Sequence, residues 1–159
     1  MNNKKKTGAF SVFLHVCGYL MVILFFITVG AMLIPKVMGY ESFYVVSGSM
    51  APTIPVDSMI YVKETEPEGL EAGDIIAYNS NGVTVTHRIT ENDSVNREFH
   101  TKGDGNEIED MRTVRYDDLI GEVAFHVPYM GILGVYLNTV LGRILFVLFG
   151  VTGLVLTWV

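Results

Sequence analysis

Hydrophobic and polar residues divide the chain into three parts. Phe10–Ile34 is a run of 25 residues without a charged side chain. As a helix it would be roughly 37 Å long, enough to cross the ~30 Å hydrocarbon core of a bilayer. The middle part alternates short apolar runs with polar turns, and from Pro128 the chain is again apolar, with Arg143 as its one charge. The pattern predicts a transmembrane anchor, a folded middle block and a second membrane-associated end.

The first apolar run also has a feature of a removable signal peptide. The small residues of "TVGA", Thr28–Ala31, have the spacing of a cleavage site. The apolar run continues beyond them to Ile34, however, and it is long for the core of a signal peptide. This favours an uncleaved anchor.

The C-terminal apolar part is less regular. Ile144–Val159 has 16 residues, about 24 Å as a helix, which is short for a full span. The preceding "MGILGVYLNTVLG" is apolar but contains Gly and Asn, a composition that suits the membrane interface. We therefore expect an interfacial segment followed by a second transmembrane segment.

The middle part has the composition of a β domain. Short runs rich in Val, Ile, Tyr and Thr are separated by turn sequences such as "NSNG" and "KGDGNEIED". Such strands predict a compact antiparallel sandwich or open barrel, so the fold class is mainly β. The expected strands are Phe43–Gly48, Ser58–Lys63, Asp74–Asn79, Val83–Thr90, Glu98–Lys102 and Ile120–Val127.

Charge sets the expected orientation in the membrane. Lys4, Lys5 and Lys6 precede the anchor and favour a cytoplasmic N-terminus, with the middle block on the outer face of the cell membrane. All 17 acidic residues lie in that block with six basic ones, and its net charge of −11 argues against a nucleic-acid partner. The expected division is a cytoplasmic N-terminus (1–9), an anchor (10–35), an extracytoplasmic β domain (36–130) and the membrane-associated end (131–159).

Candidate chemistry begins with "VVSGSMAPTIP", Val45–Pro55, where an apolar run ends in two serines. One interpretation is a strand that runs into a loop, and the other is a nucleophile at a strand end, which needs a base. In "VTVTHRIT", the period of two puts His87 on the apolar face with Val83, Val85 and Ile89. A buried histidine there is either a hydrogen-bonded core residue or a general base.

The stretch "HTKGDGNEIEDM" supplies acidic candidates. As a calcium loop it fails, because Ile108 stands where an oxygen ligand is needed and the mid-loop glycine is missing. The alternatives are a solvated acidic turn or an aspartate, Asp104 or Asp110, that orients His87. Cys17 is the only cysteine, so neither a disulfide framework nor a zinc site can be built from cysteines.

Taken together, these motifs resemble the type I signal peptidases, in particular the endoplasmic-reticulum-type branch also found in archaea and some Gram-positive bacteria. "SGSMAPTI" is similar to the nucleophile box, "GDIIAY" to the strand that follows it, and "THRI" and "GDGNEIED" to the histidine and aspartate boxes. The resemblance extends from the anchor to about Pro128. It implies a membrane-bound serine endopeptidase that acts on secretory preproteins after small-x-small sequences, without a metal or organic cofactor.

The resemblance also implies a role for each matching residue. Ser49 corresponds to the nucleophile, and Ser47 and the Ser49 backbone N–H correspond to the oxyanion donors; in a strand, residues two apart point the same way. His87 stands where the other branch of the family has a lysine base. Asp110 resembles the third member of the triad and Asp104 a second acid nearby, with their roles interchangeable at this point. The residues that match the substrate pocket are Val45, Val46, Met50 and Ile54.

Two other functions compete with this one. The first is a membrane-anchored β module that binds peptides without cleaving them, although the full Ser, His and Asp set argues against a degenerate relative. The second is a self-cleaving Ser–Lys protease, disfavoured because Lys63 and Lys102, the lysines of the middle block, lie outside the "THRI" strand. The bilayer and the preproteins are the partners implied, and the sequence identifies no accessory subunit.

Overall fold

The computed structural model describes residues 8–159, which form two units. One unit comprises the chain up to Ile34 together with Tyr136–Val159, and the other comprises Pro35–Val135. The lysine cluster at positions 4–6 and the start of the expected cytoplasmic segment lie outside the described residues.

Two apolar helices form the first unit. Helix α1, Ala9–Val37, has 29 residues and a mean hydropathy of 2.5 over its most apolar stretch, so it is long and apolar enough to cross a membrane. Helix α3, Val140–Leu156, is shorter. It reaches that length only if it is counted with α2, Met130–Asn138, which begins in the second unit, and the two helices are bent by 105°. Helix α3 packs on α1, where Phe146 stacks on Phe25 with ring centroids 4.7 Å apart.

Seven strands form one antiparallel sheet in the second unit, which confirms the predicted β domain. The spatial order is β1-β2-β7-β3-β4-β5-β6. The strands are β1 Tyr40–Tyr44, β2 Met59–Lys63, β3 Ile75–Ser80, β4 Val83–Asp93, β5 Glu98–Lys102, β6 Val114–Arg115 and β7 Leu119–Val127.

The sheet has apolar packing on both faces. Successive residues of β3 belong to different clusters: Ile76 and Tyr78 lie in one, and Ala77 between them lies in the other. This follows from the two-residue period of a strand. The first cluster also contains Leu70, Ile89, Phe99, Val114 and Tyr116. The second also contains Met50, Ile54, Ile60 and Val62.

The first strand differs from the prediction. It begins at Tyr40 and ends at Tyr44, whereas Phe43–Gly48 was expected. Val45 still donates its N–H to the Ser58 carbonyl at 2.9 Å, but the chain then leaves the sheet and turns. The apolar residues after Tyr44 predict a longer strand, because periodicity does not reveal where pairing stops.

Candidate active site

The two serines of "SGSM" lie in turns after β1 and not on a strand. The expectation that the strand pleat aligns them is therefore wrong. A turn closed by the hydrogen bond from the Ala51 N–H to the Gly48 carbonyl, 3.0 Å, bends the chain instead. The hydroxyl oxygens of Ser47 and Ser49 nevertheless lie 3.3 Å apart. The two hydroxyls are therefore adjacent, as predicted, but the bend of the chain brings them together and not the pleat of a strand.

His87 lies in β4 opposite Ile76 and is 7% exposed. Its position on the buried face follows the predicted alternation. Its Nδ1 lies 2.5 Å from Oδ2 of Asp110. Because an ionised carboxylate only accepts hydrogen bonds, Nδ1 carries the hydrogen, and in the neutral ring Nε2 then has a free lone pair.

The loop after β5 joins the histidine to the serine turn. The Gly105 N–H donates to the Ser49 carbonyl at 2.7 Å. A Cβ atom at Gly103 would lie 2.5 Å from the same carbonyl oxygen and 3.0 Å from Nε2 of His87. Gly103 therefore lies directly between the serine turn and the imidazole, and a larger residue would push them apart.

The structure separates the two aspartates of this loop. Asp110 contacts His87, whereas Asp104 accepts two hydrogen bonds from Arg88, Nε to Oδ1 at 2.8 Å and Nη2 to Oδ2 at 2.6 Å. The hydrogen bonds from Arg88 hold the pKa of Asp104 below its usual value. Arg88 also donates to the Gly73 carbonyl at 2.6 Å, so the pair ties the loop to the segment before β3.

A groove of about 320 Å³ lies on the serine side of the site. Ser47 and Ser49 line it, together with the first half of β4, Val83–Thr86. All four residues expected to bind substrate lie along the same groove: Val45, Val46, Met50 and Ile54. Met50 and Ile54 are fully buried beneath it, and Val46 is 75% exposed. The groove is thus an apolar depression that ends at two hydroxyls.

A second cavity, about 520 Å³ in volume, is lined by His87, Asp110 and Tyr78. Neither serine lines this cavity. The serine turn and the His87–Asp110 pair therefore line different depressions, and both approach Gly103. Among residues 8–159, no cluster of three His, Cys, Asp or Glu side chains is arranged to bind a metal ion.

Sequence reasoning did not single out three residues that shape this site: Arg88, Thr101 and Gly103. The Thr101 hydroxyl donates to Asp110 Oδ2 at 2.7 Å. A signal for it was present, because alternation in "EFHTK" puts Thr101 on the face of Phe99, which is fully buried. A polar residue on a buried strand face needs a partner.

Comparison with known proteins places this geometry in context. A family model described as signal peptidase, peptidase S26, matches residues 19–106, more than half of the 159 residues. The signal peptidase complex catalytic subunit SEC11C of Homo sapiens is 26% identical over 106 residues, covering 59% of this chain and 55% of that protein. Signal peptidase I W of Bacillus subtilis (strain 168) is 36% identical over 99 residues, covering 59% and 52%. The chain spans about half the length of the curated relatives it matches.

The Arg88–Asp104 pair yields a prediction about stability. Because the folded state lowers the pKa of Asp104, the stability from this pair is present above pH ~4 and is lost as the pH falls through the lowered value. Asp104→Asn should reduce the free energy of unfolding by about 1.5–3 kcal/mol at pH 7, a typical value for hydrogen bonds to charged groups. It should also weaken the loss of stability below pH ~4.

Urea unfolding of the full chain in detergent, at pH 7 and at acidic pH, measures both effects. The matched control is Asp117→Asn, which removes an exposed carboxylate of the same unit. Equal destabilisation by both variants at pH 7 would contradict a specific role for the Arg88–Asp104 pair.

Proposed function

The chain belongs to the signal peptidase family, as its motifs predicted, and on that premise we propose that it is a membrane-bound serine endopeptidase. Its substrates would be secretory preproteins, from which it removes the N-terminal signal peptide. Both relatives are named as signal peptidases, which supports this activity and the endoplasmic-reticulum-type branch. The finer claims concern the mechanism, the substrate groove and the orientation in the membrane.

The observation that carries the proposal is the contact between His87 and Asp110 beside the serine turn. Asp110 accepts from Nδ1 at 2.5 Å, so Nε2 is the nitrogen that can accept a proton. Nε2 and the Ser49 carbonyl oxygen flank the same glycine, Gly103. This arrangement supports a triad in which a carboxylate orients a histidine next to a serine.

In the proposed reaction, Ser49 Oγ attacks the carbonyl carbon of the scissile peptide bond while His87 Nε2 takes the hydroxyl proton. The resulting oxyanion would accept hydrogen bonds from the Ser47 hydroxyl and the Ser49 backbone N–H. His87 then gives its proton to the leaving amine, and water hydrolyses the acyl-enzyme with His87 again as base. In this structure Ser49 Oγ contacts Ser47 Oγ, and catalytic hydrogen bonds often tighten only when substrate binds.

The groove beside Ser49 supports recognition of an extended substrate. Strand β5 pairs with β4 only from Arg88 onward, so Val83–His87 pairs with β3 alone among the described strands. The other edge of this segment can accept an added strand, which binds through main-chain hydrogen bonds. Side chains at alternate positions would then face Val45, Val46, Met50 and Ile54, and the shallow apolar floor fits small residues in a small-x-small site.

We place the enzyme in the cell membrane through α1, with the N-terminus in the cytoplasm and the β unit on the outer face. The lysine cluster before the anchor supports this orientation. This orientation would place the groove on the side of the membrane on which a translocated preprotein emerges.

The Ser–Lys alternative finds little support in the geometry. Lys63 lies in β2 and Lys102 in β5, and neither lines the serine groove or the His87 cavity. A peptide-binding module without activity would need the groove but not the buried contact of His87 with Asp110. Both alternatives are decided by the cleavage assays below.

Replacing the serines tests their roles. Ser49→Ala should abolish cleavage of a synthetic preprotein by the full chain in detergent, because it removes the hydroxyl that is proposed to attack the scissile carbonyl. Ser47→Ala should reduce kcat by about 10²-fold, as for the loss of one oxyanion donor. Normal cleavage by Ser49→Ala, in protein shown to be folded, would disprove the assignment of the nucleophile.

Replacing His87 and its partner tests the base. His87→Ala should be inactive, and Asp110→Asn should lose up to about 10⁴-fold in kcat, because an amide can hold the wrong tautomer of the imidazole. Asp104→Asn, which leaves the contact of Asp110 with His87 intact, should lose less. His100→Ala is the matched control, since His100 lies in β5 and lines neither depression. A larger loss for Asp104→Asn than for Asp110→Asn would reverse the two roles.

Orientation is tested with vesicles. A protease added to right-side-out vesicles should cut the loop between β2 and β3 near Glu66–Gly73, which contains exposed residues. Cleavage confined to inverted vesicles would place the β unit in the cytoplasm and contradict the proposal. Detergent-permeabilised vesicles show whether the loop is a substrate for the protease at all.

A further inference from the structure

Asp110 has a second partner besides the histidine. Its Oδ2 atom accepts from His87 Nδ1 at 2.5 Å and from Thr101 Oγ1 at 2.7 Å. The backbone N–H of Asp110 also donates to the Thr101 carbonyl at 2.9 Å. Thr101 thus holds Asp110 by its backbone and by its carboxylate at once.

Burial leaves the Thr101 hydroxyl few partners besides Asp110, and Tyr78 of β3 is one of them. Thr101 is 1% exposed, and it lies opposite Ile89 on the face of β5 that also carries Phe99. Valine has nearly the same shape and would fill this apolar position without a polar atom to satisfy. A buried hydroxyl costs free energy unless it is hydrogen-bonded. The hydroxyl is therefore needed for its polar partners, of which the Asp110 carboxylate is the charged one.

The bond restricts the carboxylate of Asp110. A carboxylate can rotate and present either oxygen, but the hydroxyl of Thr101 holds Oδ2 where it faces Nδ1 of His87. In a neutral imidazole one nitrogen donates and the other accepts, and the partner of one nitrogen decides which. A carboxylate fixed at Nδ1 keeps the hydrogen there and leaves Nε2 free on the side of Ser49.

A tyrosine closes the same pocket from β3. The Tyr78 ring lies edge-on to the imidazole, with centroids 6.4 Å apart, and Tyr78 is 6% exposed. Burial is the main cause that raises the pKa of Tyr78. A hydrogen bond with Thr101 lowers this pKa, and the negative charge of Asp110 and a hydrogen bond with its carboxylate raise it. The Asp110 side chain is 22% exposed, so its carboxylate is partly shielded from water, and a well-placed donor has more influence there than in bulk water.

We propose that Thr101 is a positioning residue for the reaction, whose hydroxyl fixes the Asp110 carboxylate and thereby the Nδ1–H tautomer of His87. This rests on the proposed peptidase function for its effect on catalysis, but the effect on the imidazole is independent of it. Thr101 touches neither the serines nor the serine groove, so it acts through Asp110.

The test compares Thr101→Val, which removes the hydroxyl, with Thr101→Ser, which keeps it. For preprotein cleavage by the full chain in detergent, Thr101→Val should lower kcat by about 10- to 100-fold with KM little changed, the usual range for a partner that orients another group. Thr101→Ser should retain most of the wild-type kcat. Thr65→Val, which removes an exposed hydroxyl bonded to the Lys63 carbonyl, is the matched control.

NMR of protein whose histidines are labelled with nitrogen-15 measures directly which ring nitrogen of His87 carries the hydrogen. At a pH where His87 is neutral, wild-type protein and Thr101→Ser should show Nδ1 protonated and Nε2 unprotonated. Thr101→Val should show a mixture of the two tautomers. The spectrum of His87→Ala identifies the His87 signals among those of the four histidines.

These measurements separate the two hypotheses. If the wild-type protein does not cleave preprotein, the proposed function fails, and the NMR comparison alone decides the role of Thr101. The proposal is overturned if Thr101→Val has the same His87 tautomer as the wild-type protein. It is also overturned if Thr101→Ser lowers kcat as much as Thr101→Val does. If Thr101→Val does not fold, Thr101→Ala takes its place, because it removes the hydroxyl without introducing a new group.

Discussion

The candidate site depends on one backbone contact, the hydrogen bond from the Gly105 N–H to the Ser49 carbonyl at 2.7 Å. Ser49 lies in the turn after β1, and the loop that carries Asp104 and Asp110 follows β5, so the contact joins segments that are distant in sequence. Gly103 allows the close approach, since a Cβ there would lie 2.5 Å from the same carbonyl oxygen. This packing brings the serine turn and the histidine together, since the Ser49 carbonyl and Nε2 of His87 both lie beside Gly103.

The two aspartates of the loop bind different side chains of the sheet. Asp104 is bound by Arg88, which also contacts Gly73, and this pair fixes the start of the loop to the sheet. Asp110 accepts hydrogen bonds from both Thr101 and His87 at the same oxygen, Oδ2. The two aspartates have different partners because adjacent residues of β4, His87 and Arg88, point to opposite faces of the sheet. Arg88 and His87 therefore reach the two aspartates from different sides.

The two depressions of the candidate site suit different tasks in the proposed reaction. The serine groove is mostly apolar and lies along the unpaired edge of β4, where an extended chain can bind. The larger cavity contains the histidine, its aspartate and the buried Tyr78, and it can hold the proton-transfer groups in a fixed arrangement. In this way a sheet with apolar packing on both faces supplies a binding edge on one side and a buried base on the other.

The sequence by itself determined the long apolar helix near the N-terminus, five of the seven strands to within a few residues and the face of β4 on which His87 lies, because hydropathy and the two-residue period are local properties of the chain. It also named the serines, the histidine and the two aspartates through their motifs. It misjudged the end of β1, since only pairing partners decide where a strand stops, and it missed β6, a two-residue strand. Which aspartate meets His87, the Arg88–Asp104 pair and the place of Thr101 depend on how the loop after β5 folds back. These are contacts between segments far apart in sequence, so only the tertiary structure could decide them.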